Sequence, residues 1–306
     1  MAVTLEVLSS KVEAGEPLSD RDVQFLGGTR DIIALGMMAT TVRRKLHGSD
    51  VTFVRVADRK LADLKAATLA AASPKVAVPT FRSAPAGEFR IFETPRTLDE
   101  AVDVVSQALD VSEGIPVSAF CLFELSKLSE GLPVVLTALR KAGLEVITQA
   151  PFDRLGAPER ALEAVTDAGL QVARLTMNDP PQREWTDICR EVAALQTRLG
   201  SIRVFAPLAR SLDDAEPTTG YQDVKRVALS RLLADNVATI QVDWALYGPK
   251  LAQVALTFGA DDIDSVSPED DGSLGTRRSP LEEVRRSIRA AGLEPFERDG
   301  RFARRG

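Results

Sequence analysis

The chain is short of the residues that most metal and redox chemistry depends on. Cys121 and Cys189 are its two thiols and His47 its single histidine. Two thiols so far apart do not make a disulfide framework, so a reducing compartment is expected. They also fall short of the three or four thiolates that hold an iron–sulfur cluster. No H-E-x-x-H, C-x-x-C, G-x-S-x-G or P-loop motif occurs, which leaves zinc-hydrolase, nucleophilic-serine and nucleotide-cradling readings without support. Positive charge is in deficit too: 38 Lys and Arg stand against 44 Asp and Glu, a net charge of −6. A basic face for nucleic acid is therefore not expected. No apolar run approaches the ~18 residues of a membrane span, and no charged-then-apolar leader opens the chain. The expectation is a cytoplasmic protein with neither a nucleic-acid nor a membrane partner. The basic tail RDGRFARRG reads as a frayed, solvated end.

What is present is a regular alternation. Apolar residues make up 44% of the 306, enough for a sizeable core. The first fifty residues read as helices, with Ser19 and Asp20 at one start and Gly27 and Gly28 at its stop. A second helix opens at Asp31, its stripe Ile32, Leu35, Met38, Ala39, Val42 and Leu46, its cations Arg43, Arg44, Lys45 and His47 in the last turn, and Gly48 at its end. From Val51 on, β-rich runs are expected at 51–57, 75–81, 117–123, 144–150, 170–177, 201–209, 238–245 and 262–266. Helices are expected near 59–72, 98–110, 131–142, 157–168, 181–199, 220–235, 248–258 and 280–291. KAGLEVI, DAGLQVA and LGSIRVF each join a glycine helix stop to an apolar strand. Eight such units predict an α/β fold, a (β/α)8 TIM-type barrel with room for incompleteness or distortion. A doubly wound open sheet is the second choice. Residues 1–50 are expected as a helical extension packed on a barrel of 51–306. Residues 82–96 are expected as an irregular insertion or small hairpin, and 267–279 as a mobile loop.

Several stretches carry a resemblance. LSSKVEAGEPLSDRDVQFLGGTRDIIALGMMATTVRRKLHGSDVTFV, VSAFCLFEL with Glu124, LTALRKAGLEVI, Leu195–Gln196, GYQDVKRVALSRLLADNVATIQVDWALYGPKLAQVALTFGADD and IRAAGLEPFERD are similar to segments of one family. That family is the radical S-adenosylmethionine enzymes of futalosine-type menaquinone biosynthesis, aminofutalosine synthase and dehypoxanthine futalosine cyclase. The resemblance implies a TIM-type barrel, and in the family a C-x-x-x-C-x-x-C loop ligates a four-iron cluster after the first strand. This chain has VRVADRKLADLKAATLAAASPKVAVPTF there, without a cysteine. The Gly-Gly-Glu type segment that contacts S-adenosylmethionine is replaced by KVAVPTFRS, and the Gly-Gly after the Asp of strand eight by IDSV. No cluster is therefore expected, and S-adenosylmethionine binding is left in doubt.

In a barrel the working residues lie at the C-terminal ends of the strands. That rule selects Asp58, Arg59, Arg82, Glu124, Asp153, Arg154, Asn178, Asp179, Arg210, Asp243, Trp244 and Asp264. The candidates for acid–base work are Glu124, Asp153 and Asp243. Arg59, Arg82, Arg154, Asn178, Asp179, Arg210, Gln241 and Trp244 are candidates for binding a small polar or anionic metabolite, Arg by bidentate contacts. For any one of them the alternative is a solvated loop charge. Asp261, Asp262, Asp264, Glu269, Asp270 and Asp271 are an oxygen-rich run that a divalent cation could use; an acid run at a helix end and loop is the favoured account of it, and no metal is expected. His47, Cys121 and Cys189 read as structural. Two functional classes follow: an accessory or ligand-binding homologue, able to pair with a cluster-bearing paralogue, or a repurposed cofactor-independent enzyme with transferase- or lyase-like menaquinone-pathway chemistry.

Overall fold

Residues 3–59, 86–179, 181, 183–211, 218–269 and 279–305 are described by the structure, a computed structural model. Three helices open the chain: α1 (Leu5–Ala14), α2 (Asp20–Gly28) and α3 (Ile32–His47). Each starts where a short polar side chain can take an orphan amide. Thr4 accepts from Val7, Ser19 forms a capping box with Asp22, and Asp31 accepts from Ala34. The order then runs β1 (Asp50–Arg59), β2 (Glu88–Ile91), α4 (Leu98–Val111), β3 (Val117–Cys121), α5 (Leu122–Leu125), α6 (Leu132–Lys141), β4 (Val146–Pro151) and α7 (Pro158–Asp167). It continues with β5 (Gln171–Val172), β6 (Leu175–Met177), α8 (Trp185–Leu199), β7 (Val204–Ala209), α9 (Gly220–Leu233), β8 (Thr239–Asp243) and α10 (Trp244–Leu256). β9 (Asp262–Val266), α11 (Pro280–Ala290) and β10 (Glu294–Glu297) complete it.

One sheet takes these strands in the order β10-β1-β2-β3-β4-β6-β7-β8-β9, with β5 on β4 and with β1 also paired to β9. Strands β1 to β4 pair in parallel, as do β7 to β9. Parallel strands joined through helices, with β1 neighboured on both sides, are the strand order of the (β/α)8 TIM-type class.

The chain divides into two compact units. Unit 1 comprises 1–52, 176–264 and 283–296; unit 2 comprises 53–175, 265–282 and 297–306. In unit 1 the core lies where α9 packs on α3 and α8. Leu35, Met38 and Ala39 of α3 and Val227 and Ala228 of α9 are buried there. Trp185 stacks on Phe205 at 6.0 Å and donates its indole N–H to the Arg226 carbonyl at 3.1 Å. In unit 2, Val104 and Val105 of α4, Val135 and Leu139 of α6 and the outward residues Phe89 and Ile91 are buried. α10 is bent at Gly248, whose φ of 76° precedes Pro249.

Two expectations are corrected. The stretch 82–96 was expected as an insertion, yet Glu88–Ile91 is the strand between β1 and β3, in register Val56↔Glu88 and Arg90↔Ser118. Its inward residues are charged, so EFRI does not show the apolar run of a doubly buried strand. The expected strand 75–81 and helix 59–72 lie outside the described residues, as does most of the loop expected at 267–279. The tail, expected as frayed, is tied down. Arg298 is buried, its amide bonds to the Phe53 carbonyl, Gly300 bonds to Gly87, and Arg298 bridges Arg304 antiparallel. Gly87 is required at that crossing, since a Cβ there would stand 2.6 Å from the Arg298 carbonyl. Glu297 holds the same segment through Arg55 at 2.9 Å and Arg305 at 3.1 Å.

Candidate functional site

In unit 1, the ends of β6, β7 and β8 form a polar group of side chains. The Arg210 amide donates to the Met177 carbonyl at 3.0 Å and the Ser211 amide to the Asn178 carbonyl at 2.7 Å, so the ends of β6 and β7 are tied together. Arg210 Nη1 meets Asp243 Oδ2 at 3.1 Å. Asp243 Oδ1 accepts from the Leu246 amide at 2.9 Å, capping α10. Tyr247, one turn into that helix, donates its hydroxyl to the Ala209 carbonyl at 2.6 Å, and burial holds the phenol protonated well above its ordinary value. Asn178 donates to Asp179 at 3.0 Å. Asp243 and Asp264 are register partners on β8 and β9. One step deeper, Gln241 donates to Asp262 at 2.7 Å, and Asp262 also accepts from Thr52 at 2.5 Å. The structure therefore brings Asn178, Asp179, Arg210 and Asp243 together. Gln241 is spent inside the sheet, and Trp244 is buried as the first residue of α10.

Unit 2 has its own buried polar group, which sequence reasoning missed. Arg90 lies across Glu88 as a fork, Nε to Oε1 at 2.7 Å and Nη2 to Oε2 at 2.8 Å. Ser118 donates to Glu88 at 2.5 Å, Thr148 donates to Ser118 at 3.3 Å, and Arg90 Nη1 donates to Ser265 at 3.1 Å. Glu88 and Arg90 are 1% and 0% exposed, so the pair sits where an unpaired charge is costly. Ser265 and Phe120, at the ends of β9 and β3, have φ of 58° and 65°, left-handed backbone that β-carbon sterics disfavour by about 1–2 kcal/mol. The signal that could have found this group is the i, i+2 spacing of opposite charges within EFRI, which puts both side chains on one face of a strand.

The other expected site residues of unit 2 stand apart from this group. Asp153 and Arg154 are exposed in the turn after β4. Glu124, in α5, pairs with Lys127 at 2.8 Å. Arg59 ends β1, reaching its own neighbour's carbonyl at Asp58 and Glu269 at 3.8 Å, and Asp58 is exposed. Arg82 lies outside the described residues, as do Asp270 and Asp271.

Asp261, just before β9, and Asp262 at its start are taken up by protein donors. In unit 1, Asp261 Oδ1 accepts from Arg231 Nη2 at 2.5 Å and from the Ile240 amide at 2.7 Å, and Oδ2 meets His47 Nε2 at 2.7 Å. Arg231 is 0% exposed and also donates to the carbonyls of Gly259 and Val237. This knot lies at the N-terminal end of β9, the end of the fold that serves stability.

The donor set decides what cofactor the chain can hold. A radical S-adenosylmethionine cluster takes three protein thiolates and leaves one iron open. Here Cys189 is sealed inside α8, 0% exposed, its Sγ 3.7 Å from Ser230 Oγ, and burial pushes the thiol up to about 12. Cys121 ends β3 in register with Gln149, and burial raises its thiol as well. With two thiols in the sequence, both shifted toward the protonated form, the residues do not fit a three-cysteine cluster. Among the described residues no three His, Cys, Asp or Glu side chains group as a metal site requires.

Parallel strands with polar residues at their C-terminal ends define a TIM-type scaffold of the kind that carries small-molecule sites. The chain's place within that class follows from its likeness to known proteins. Residues 207–306 match the family described as CofH/MqnC C-terminal region. The chain is 25% identical to aminodeoxyfutalosine synthase of Thermus thermophilus over 96% of its own length and 94% of that enzyme. It is 33% identical to aminodeoxyfutalosine synthase of Streptomyces coelicolor over 39% of this chain, a segment that spans 36% of that enzyme. Among solved structures, methylornithine synthase shares the fold at a TM-score of 0.64 with 16% identity, over 94% of this chain and 97% of the other. The chain is thus similar over its C-terminal third to the CofH/MqnC family, and over most of its length to aminodeoxyfutalosine synthase. No described helix is long and apolar enough to cross a membrane.

Proposed function

We propose that this chain is a cluster-free homologue of the futalosine-pathway enzymes that binds a small anionic metabolite rather than cleaving S-adenosylmethionine. The observation that carries the reading is the supply of thiols: two in the whole sequence, one of them enclosed in a helix. Homolysis of S-adenosylmethionine needs an electron from a reducible cluster, and nothing else in the donor set supplies one. The ligand reading is supported by Arg210. Its guanidinium is steadied by Asp243 through one nitrogen, and the remaining N–H groups take no partner among the described residues. A planar fork with donors to spare suits a carboxylate or phosphate.

The enzyme alternative draws less support. Asp243 is committed to a helix cap and to Arg210, Glu124 to Lys127, and Asp153 is exposed, so none of the three is placed as a free base. A cluster-bearing paralogue is the partner this reading calls for, with the present chain holding or delivering the metabolite.

Calorimetric titration with aminodeoxyfutalosine and with dehypoxanthine futalosine tests it. One of them is expected to bind at a single saturable site, and Arg210→Lys to weaken that binding at least tenfold, about 1.4 kcal/mol. The lysine keeps the charge beside Asp243 but loses the fork. Binding unchanged in Arg210→Lys, or turnover of either compound that Asp243→Asn abolishes, would move the assignment to the enzyme class.

A further inference from the structure

A cavity among the described residues lies away from the strand ends. It is a groove of about 500 Å³ in unit 1, where the turn after α1 and the helices α2 and α3 meet α8 and the end of α9. Its floor is apolar: Val12, Val42, Leu232 and Leu233 line it, and Leu46, 46% exposed, forms part of its rim.

Four charged side chains line the same groove: Glu16, Lys45, Arg190 and Asp235. The two cations are occupied. Lys45 donates its ammonium to the carbonyls of Val12 and Glu13 at 2.9 and 2.7 Å, closing the last turn of α1, and Arg190 pairs with Asp20 at 2.6 Å. The carboxylates of Glu16 and Asp235 take no ion pair or side-chain hydrogen bond among the described residues. The charge left unspent around an apolar floor is negative.

We infer that this groove is a binding site for a small organic cation with an apolar body, an alkyl or arylalkyl amine. The apolar part fills the floor, and the ammonium lies between the groove and the carboxylates of Glu16 and Asp235. An anion is the wrong complement, because it would face the carboxylates of Glu16 and Asp235, and like charges brought together are costly. A docked helix is the wrong size. Three turns with side chains, about 10 Å across and about 15 Å long, need about 1,000 Å³, whereas small-molecule sites run from roughly 300 Å³ upward. This site is separate from the one at Arg210, and Arg210→Lys leaves it intact.

The test is a titration of the full chain, followed by NMR, with hexylamine and 2-phenylethylamine, set against 2-phenylethanol and 3-phenylpropionate. At least one amine is expected to saturate, the alcohol to bind at least tenfold more weakly, and the acid not to bind. The double variant Glu16→Gln/Asp235→Asn, both positions exposed, is expected to lose about tenfold in amine affinity with no change in its urea midpoint. Equal binding of amine and alcohol, tighter binding of the acid, no saturable binding by either amine, or amine affinity retained in the double variant would each overturn the proposal. So would binding of a basic amphipathic peptide where neither amine binds.

Discussion

Replacing Arg90 by leucine will lower the stability of the protein by about 3–5 kcal/mol, read as a fall in the urea midpoint at unchanged slope. The cause is not the loss of an attraction. Arg90 and Glu88 are both essentially without solvent contact, and Glu88 loses the guanidinium that forks across it. A buried carboxylate stripped of its cationic partner costs far more than a paired one, and this is the difference the midpoint measures. The double variant Glu88→Leu/Arg90→Leu removes both charges and is expected to recover most of the loss, because hydrophobic replacement of a whole buried pair is often neutral or better. A double variant as unstable as Arg90→Leu would mean that the inward face of β2 depends on shape and not on charge compensation.

The second large effect belongs to Asp261. Asp261→Ala strips Arg231 of its carboxylate while the guanidinium stays fully buried, and it frees the Ile240 amide at the same time. A loss of about 3–5 kcal/mol is expected on the same grounds. The variant carries a second signature through His47. The hydrogen bond to Asp261 raises the His47 imidazolium above its ordinary value of 6.5, against desolvation and the repulsion of Arg231. A group bound more tightly to its proton in the folded state contributes stability that is fully present below pH 6.5 and is lost as pH rises through the raised folded value. The wild-type urea midpoint should therefore decline across that window, and Asp261→Ala should flatten the decline. A variant that keeps the wild-type slope would remove Asp261 as the cause.

How much of this was legible in the residues depends on whether one side chain or a pair carried the signal. The caps at Ser19 and Asp31 and the glycine steps into β4, β5 and β7 follow from local chemistry, and the helices and strands begin within a few residues of where those signals put them. β9 was legible to the residue, because DIDSV follows a helix stop directly. β2 was not, since a strand with charges on its inward face looks like a surface hairpin until the partner of each charge is known. The tail failed for the same reason: RDGRFARRG is basic enough to read as solvated, and only Glu297, Glu145 and the carbonyls it meets show why it is held. At the candidate site, Arg210 and Asp243 were found by their position after β7 and β8, but that Asp243 is spent as a cap and Gln241 on Asp262 needed side-chain geometry.

The proposed function requires that this chain, though similar to radical enzymes, hold no cluster. Iron and acid-labile sulfide counted per chain, after anaerobic reconstitution with ferrous iron, sulfide and dithiothreitol and then desalting, test it most directly. Near-zero iron, with no charge-transfer absorbance and no cleavage of S-adenosylmethionine under strong reductant, is the predicted result. About four irons per chain, with a reducible signal that S-adenosylmethionine perturbs, would contradict it.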